Sequence, residues 1–379
     1  MREQHGYVNP PVHRASTVLY ESLAQLEASQ ADPLKRNMPV YGRFGTPTTR
    51  AFEEALAELE GGWAAVATCS GLAAATTAIL AFVRSGDHVL VPDSAYQPTR
   101  RFCESLAAFD VVAEPYPPTI GADIEGLLRP ETRLVCLESP GSLTFEIQDL
   151  PAITRVCRSR GIVTIVDNTW ATPVFLQPFS LGADVVVHSA TKYLTGHADS
   201  VLGAIVCTEE TFAAVRSSAI RLGQCAGADD TYLGLRGLRT LAVRMRAHHD
   251  QALELARWLR EQPPVARVLH PGLPGAPGHE LWRRDFTGAA GLFGVELDRG
   301  FGKPATEAML ARLRLFGIGH SYGGFESLIV PADPAGHRLP GTWSGQGPLL
   351  RIHAGFEDLD ELKADLDAGL RAISPGRSG

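Results

Sequence analysis

Two side chains of complementary chemistry follow two apolar runs of the chain. An apolar run at 162–166 leads directly into Asp167, and a second run at 185–187 precedes Lys192 by a few residues. The two residues are 25 positions apart, which suits one strand, a crossover and the next strand. Because the carboxyl ends of parallel strands meet at one edge of a sheet, this spacing predicts a carboxylate and an amine in one cleft.

Such a pair is what pyridoxal phosphate requires from a protein. The amine forms a Schiff base with the cofactor's aldehyde, and the carboxylate keeps the ring nitrogen protonated so that the ring accepts electrons. The hydroxyls of Ser189 and Thr191, beside the lysine, could bind the phosphate. Gly71 and Leu72 begin an Ala-rich helix, and a helix N-terminus also binds phosphate. An ordinary ion pair between the carboxylate and the amine is the alternative.

Alternating strands and helices must position these residues. Near-continuous apolar strands separated by helices predict an α/β fold, with a mostly parallel central sheet covered by helices on both faces. Functional side chains should then lie at the carboxyl ends of the strands. The predicted strands are 88–91, 111–113, 134–137, 162–166, 184–188 and 201–206.

Three parts are predicted along the chain. Residues 1–45 show little periodicity and would form an N-terminal arm that contacts another subunit. Residues 46–238 would form the cofactor domain, and residues 239–379 a smaller C-terminal α+β domain. In this last part we expect a long helix over 238–261, strands over 265–270, 291–297 and 349–353, and a loop over 331–348.

Composition excludes several classes of protein. The chain has 379 residues and a formal net charge of −7, so it has no basic surface for nucleic acid or an anionic membrane. None of its six cysteines forms a CxxC pair, which favours reduced thiols. No apolar run approaches the length of about 20 residues that spans a bilayer. These features indicate a cytoplasmic enzyme without nucleic-acid or membrane partners.

Several segments resemble the signatures of the Cys/Met-metabolism enzymes that use pyridoxal phosphate. The stretches 166–173 (VDNTWATP), 189–197 (SATKYLTGH) and 41–48 (YGRFGTPT) carry this resemblance. Three others resemble the bacterial cystathionine β-lyase branch: 138–142 (ESPGS), 284–288 (RDFTG) and 321–328 (SYGGFESL). The resemblance extends from Val8 to Ile373 and implies the fold type I architecture of PLP-dependent transferases.

The resemblance also implies roles for individual residues. Lys192 would hold the cofactor and then move protons, Asp167 would pair with the ring nitrogen, and Tyr96 would stack on the ring. Phosphate ligands would be Gly71, Leu72, Ser189 and Thr191, with Tyr41 and Arg43 of a neighbouring subunit. Substrate would be bound by Arg351, Ser321, Tyr322 and Tyr41. A guanidinium suits a substrate carboxylate because it offers two parallel donors.

The implied activity is carbon–sulfur β-elimination on a sulfur amino acid. Cystathionine and water would give homocysteine, pyruvate and ammonia, in a homotetramer built from dimers with shared sites. Alternatives are γ-synthase or γ-lyase chemistry, which needs a second proton abstraction at the β-carbon, and β-elimination from cystine or another cysteine S-conjugate. Tyr322, Gln97 and Ile220 depart from the branch pattern and would lie near the distal part of the substrate.

Two short motifs suggest unrelated types of site. Residues 319–323 fit the G-x-S-x-G pattern, and Asp333 and His337 follow in triad order, but that elbow must turn from a strand into a helix. The sequence after it is typical of a strand or loop. His248 and His249 are adjacent, so on a helix they point to different faces and cannot easily share one ion. No metal is expected.

Overall fold

The structure, a computed structural model, describes residues 7–37 and 39–373. The strands are β1 (Ala64–Thr68), β2 (His88–Pro92), β3 (Val112–Tyr116), β4 (Thr132–Glu138), β5 (Val163–Asp167), β6 (Val185–His188), β7 (Gly203–Cys207), β8 (Val265–Leu269), β9 (Leu292–Leu297), β10 (Leu328–Ala332) and β11 (Leu349–His353). The helices are α1 (Leu23–Ala31), α2 (Pro47–Glu60), α3 (Gly71–Phe82), α4 (Gln97–Ser105), α5 (Leu150–Ser159), α6 (Thr172–Phe175), α7 (Glu209–Arg221), α8 (Ala228–Leu238), α9 (Leu241–Arg260), α10 (His279–Asp285), α11 (Lys303–Leu310) and α12 (Leu359–Arg371).

Seven strands form the large sheet, in the order β1-β7-β6-β5-β4-β2-β3. The five strands from β6 to β3 are parallel to one another, and β7 runs antiparallel to both of its neighbours. The predicted α/β class with a mostly parallel sheet is therefore confirmed. Strand β1 was missed because its sequence, AAVAT, is dominated by alanine, which has weak strand propensity.

Helices cover both faces of the large sheet. Alternate strand residues point to opposite faces, and each face carries its own buried cluster. Phe52 of α2 and Ile153 of α5 belong to one cluster, and Ala78 of α3 and Val215 of α7 to the other. Because helices cover both faces of the sheet, polar side chains that take part in chemistry are expected at the ends of the strands.

A second sheet of four antiparallel strands, in the order β10-β11-β9-β8, follows later in the chain. Its core includes Leu255 of α9, Met309 of α11 and Leu366 of α12. The predicted small α+β unit is present, although its boundary at residue 239 stays a prediction. Residues 1–6 of the predicted arm and 374–379 of the predicted C-terminal domain lie outside the described residues.

Two predicted boundaries in this region were wrong. The helix expected over 238–261 is α9 alone, because α8 ends at Leu238 and the chain turns before Leu241. The guanidinium of Arg244 donates to Gly237 O at 2.8 Å, which satisfies a carbonyl that a continuous helix would have used. Strand β10 also includes the first two residues of the expected loop over 331–348.

In the described part of the chain, no helix has both the length and the apolar character needed to cross a bilayer.

Candidate active site

A cavity of about 430 Å³ lies at the carboxyl edge of the large sheet, next to the second sheet. This volume is typical of sites for small molecules. Its lining includes Gly71, Leu72, Tyr96, Asp167, Ser189, Thr191, Lys192, Ser321, Tyr322 and Arg351. The structure therefore brings together every predicted site residue except Tyr41 and Arg43.

Lys192 lies in the turn after β6, and its amine has close neighbours from the second sheet's side of the cavity. Its Nζ donates to Ser321 Oγ at 2.6 Å and lies 5.1 Å from the ring centre of Tyr322. Burial, together with the positive charge of Arg351, lowers the pKa of Lys192 to about 8. Part of this amine is therefore neutral near physiological pH, as a nucleophile or base requires.

This lowered pKa predicts how cofactor uptake depends on pH. With a pKa of about 8, about a tenth of the amine is neutral at pH 7 and about nine tenths at pH 9. Only the neutral amine attacks an aldehyde, so cofactor-free protein should take up pyridoxal phosphate about tenfold faster at pH 9. Absorbance measures the uptake, and equal rates at the two pH values would contradict the lowered pKa.

Two carboxyl groups lie side by side at the end of the large sheet. Glu138 ends β4 and is the register partner of Asp167, which ends β5. Burial, followed by the charge of Asp167, raises the pKa of Glu138 to about 8, and burial also raises the pKa of Asp167. The pair therefore holds one proton near neutral pH, and we assign it to Glu138, which leaves the anion on Asp167. An anion here suits a protonated ring nitrogen.

Tyr96 forms a hydrogen bond to one of these two carboxyl groups. Its backbone N–H donates to Glu138 Oε2 at 2.7 Å, immediately before α4 begins. The side chain lines the cavity and stays 48% exposed, so its ring is available to a flat ligand. Stacking on such a ligand remains a prediction.

The start of α3 forms an anion cradle beside these groups. The N–H groups of Gly71 and Leu72 lie in the first turn, where the helix offers them no acceptor. A Cβ on Gly71 would lie only 2.4 Å from Ser189 Cβ, so glycine lets the loop after β6 approach the helix. With the helix dipole, this arrangement fits a phosphate. The residues present therefore fit pyridoxal phosphate at its ring, aldehyde and phosphate.

Thr191 is engaged differently from the expectation. Its Oγ1 donates to Leu202 O at 3.1 Å and accepts from Leu202 N–H at 3.0 Å, so its hydroxyl hydrogen is used within the chain. It lines the cavity all the same, and its phosphate contact stays a prediction.

Arg351 on β11 provides the cation on the substrate side. Its Nη2 donates to Ser321 O at 3.3 Å, and burial lowers its pKa without neutralising it. Ser321 has φ +86°, a conformation that costs a non-glycine residue free energy. Tyr322 is the next residue, and burial raises the pKa of its hydroxyl well above the usual value. The hydroxyl of Ser321 thus faces Lys192 while its carbonyl holds Arg351.

The two predicted site residues of the N-terminal arm, Tyr41 and Arg43, lie outside the cavity. Arg43 Nη1 donates to Ile220 O at 3.1 Å and its guanidinium packs 4.2 Å from the ring centre of Phe44. Tyr41 pairs with Thr17 through an isolated β-bridge and is 45% exposed. Neither side chain lines the cavity of its own chain.

Several cavity residues were not predicted as site residues. Among them are Glu138, Thr169, Trp170, His320 and five residues of the segment 140–145: Pro140, Gly141, Ser142, Leu143 and Phe145. Glu138 ends an apolar strand, so the rule that identified Asp167 would have found it. Pro140, Gly141 and Ser142 belong to the signature segment 138–142, whereas no motif includes Leu143 or Phe145.

Neither unrelated site type is supported in the described residues. Ser321 is followed by the strand β10, and no helix begins between them, so the nucleophile elbow is wrong. Within residues 7–37 and 39–373, no group of three or more His, Cys, Asp or Glu side chains is arranged to hold a metal ion.

An α/β sheet that presents an amine, a carboxylate and an anion cradle at one edge defines a PLP-dependent enzyme of the fold type I class. The chain belongs to the Cys/Met metabolism PLP-dependent enzyme family, whose model matches residues 1–371. The family prediction from the motifs is therefore confirmed.

Two curated relatives and one solved structure are similar to this chain over nearly its whole length. The chain is 42% identical to the cystathionine beta-lyase of Escherichia coli, over 97% of this chain and 94% of that protein. It is 40% identical to the cystathionine beta-lyase of Salmonella typhimurium, with the same coverage of both chains. A cystathionine gamma synthase from Xanthomonas oryzae, solved with aminoacrylate and cysteine, superposes with a TM-score of 0.88 at 33% identity, covering 97% and 94%.

Proposed function

We propose that this protein is a PLP-dependent carbon–sulfur β-lyase that converts L-cystathionine and water to L-homocysteine, pyruvate and ammonia. The observation that carries the proposal is the contact between the Lys192 amine and Ser321, in one cavity with Asp167 and Arg351. Near full-length similarity to two cystathionine beta-lyases supports the choice of reaction.

The chain's own groups divide the work as follows. Arg351 binds the substrate's α-carboxylate and fixes the α-carbon near Lys192 Nζ. Bound pyridoxal phosphate would supply an electron sink for the α-carbon. Lys192 takes the α-proton, Ser321 Oγ orients its amine, and the negative charge of Asp167 would pair with the ring nitrogen of the bound cofactor. The electron pair left by the α-proton forms a double bond to the β-carbon as the β-carbon–sulfur bond breaks. The sulfur leaves with its own electron pair, and water completes the conversion of the remaining three-carbon unit to pyruvate and ammonia.

Product analysis distinguishes this reaction from the alternatives. Purified holoenzyme given L-cystathionine should release pyruvate and homocysteine. Release of 2-oxobutyrate and cysteine would contradict the proposal and favour γ-lyase chemistry. If cystathionine is not cleaved while cystine or another S-conjugate yields pyruvate, the substrate assignment is wrong and β-elimination stands.

The active unit in this proposal is a homotetramer built from dimers, located in the cytoplasm. Tyr41 and Arg43 would reach the phosphate of the neighbouring subunit, and Tyr41 its substrate as well. Their absence from the lining of the cavity in their own chain and the exposure of Tyr41 support this arrangement. The six free thiols support a reducing compartment.

A mixing experiment tests the shared site. Lys192→Ala and Arg43→Ala proteins should each be nearly inactive. In a mixed dimer one site carries both changes and the other carries none. After subunit exchange at equal amounts, half of the dimers are mixed, so activity should recover to about a quarter of that of the unmodified enzyme. No recovery, with exchange verified by mass spectrometry, would contradict shared sites.

A further inference from the structure

A buried arginine reaches from the second sheet's long loop to the wall of the active-site cavity. Arg338 lies between β10 and β11, and its side chain is 4% exposed. Its Nε lies 2.9 Å from Asp93 Oδ1, and its Nη1 lies 2.9 Å from Glu146 Oε1. A buried cation is stable only when it is paired, and here carboxylates from two separate segments share one guanidinium.

The segment next to Glu146 forms part of the cavity. We call residues 141–146 the wall loop, because Gly141, Ser142, Leu143 and Phe145 line the cavity. Leu143 and Phe145 have φ angles of +68° and +59°, which non-glycine residues adopt at a cost. Such a backbone persists only when its surroundings hold it.

Arg338 holds the wall loop in this conformation. Its Nη1 donates to Thr144 Oγ1 at 2.6 Å and also to Glu146 Oε1. One nitrogen therefore binds both residues that flank Phe145. Thr144 Oγ1 in turn donates to Glu146 Oε2 at 2.6 Å. The wall loop is closed on itself by Phe145 N–H donating to Gly141 O at 3.0 Å.

The arginine is fixed from its other side too. Asp93, directly after β2, accepts at Oδ2 from Leu339 N–H at 2.9 Å and from Thr342 Oγ1 at 2.6 Å. Arg338 Nη2 donates to Thr342 O at 3.3 Å. The planar guanidinium therefore spans a fixed anchor and the wall loop, which the single ammonium of a lysine cannot do.

We propose that Arg338 is a positioning residue, which sets the shape of the substrate cavity by holding the wall loop in its left-handed conformation. Arg338 contacts neither Lys192 nor the anion cradle at the start of α3. Its effect is therefore on the shape of the cavity that a substrate must fit. A long sulfur substituent contacts more of the cavity wall than a methyl group does. Because the cavity is taken as the substrate site, this part of the inference rests on the proposed function.

The test compares Arg338→Met with a control at a more exposed arginine, Arg284→Met. Arg284 also joins a late segment to an early one, with its Nη2 2.8 Å from Asp149 Oδ1, but neither residue lines the cavity. Hydrogen exchange of holoenzyme should be about tenfold faster in the peptide covering the wall loop of Arg338→Met and unchanged in Arg284→Met. Unchanged exchange in Arg338→Met would overturn the proposal.

Kinetics distinguish positioning from a general structural role. In Arg338→Met, KM for L-cystathionine should rise about tenfold with kcat within about threefold, while KM for S-methyl-L-cysteine changes less than about threefold. Equal losses on both substrates would overturn the proposal. If Arg338→Met does not fold, Arg338→Lys carries the same expectations. If the unmodified enzyme cleaves neither substrate, the proposed function fails, and hydrogen exchange still decides whether Arg338 holds the wall loop.

Discussion

Lys192→Ala should lower kcat for pyruvate release by at least about 10³-fold, because it removes both the amine that holds the cofactor and the base that takes the α-proton. The amine sits 2.6 Å from Ser321 Oγ with a pKa lowered to about 8, so no solvent group matches its position and protonation state. Pyruvate release under saturating cystathionine and added pyridoxal phosphate measures the effect.

A second lysine gives the matched control. Lys303 is exposed at the start of α11, where it pairs with Glu307 at 3.7 Å, and it is absent from the cavity lining. Lys303→Ala should keep the kcat of the unmodified enzyme. If Lys192→Ala retained more than a tenth of that kcat, the assignment of Lys192 as the reactive amine would be wrong.

The strand-end rule explains why the centre of the site was predictable from sequence. Asp167 ends β5 and the turn that carries Lys192 follows β6, and these two strands are adjacent and parallel. Local sequence therefore decides which edge of the sheet these side chains reach. Glu138 follows the same rule at the end of β4, and it was missed only because its segment was read as a signature.

The predicted substrate-binding residues could not be found with the strand-end rule. Arg351 lies on β11 of the second sheet and Ser321 in the loop before β10, both far along the chain from Lys192. Their approach depends on how the second sheet packs beside the first, and no local periodicity encodes that packing. Resemblance alone suggested these residues before the structure placed them together.

Tertiary contacts also decided the elements that were missed or misplaced. Strand β1 forms from an alanine-rich run because β7 pairs with it along its whole length. Helix α8 separates from α9 where Arg244 satisfies a carbonyl across the break. Arg338 lies in a loop rich in proline and glycine, and nothing in that composition reveals that its side chain is buried between two carboxylates.

Asp167→Asn should lower kcat/KM for cystathionine by about 10²- to 10³-fold, the loss typical of removing one preorganised electrostatic partner from a buried site. The change keeps the size of the side chain and leaves one oxygen able to accept from Thr169 N–H, which now lies 2.9 Å from Asp167 Oδ1. What it removes is the negative charge that would hold the ring nitrogen protonated. Activity is measured at saturating pyridoxal phosphate, so weaker cofactor binding does not contribute.

The neighbouring Glu138 is the other carboxyl group at this edge of the sheet, and it could take over the charge lost in Asp167→Asn. Without the charge of Asp167, the pKa of Glu138 should fall, because that charge is one of the causes that raise it to about 8. An ionised Glu138 would keep accepting from Tyr96 N–H, 2.7 Å from its Oε2, and this contact holds it away from the position of Asp167 at the end of β5. Asp167→Asn activity within threefold of the unmodified enzyme would therefore mean that Asp167 does not serve the ring nitrogen.

A buried aspartate remote from the cavity controls for the substitution itself. Asp365 on α12 accepts from the N–H groups of Arg314 and Leu315 at 2.9 Å. Asp365→Asn removes a buried charge as Asp167→Asn does, so it should destabilise the fold while the folded fraction keeps its kcat/KM. A loss confined to Asp167→Asn therefore reports the charge at the ring nitrogen and excludes a general effect of neutralising a buried carboxylate.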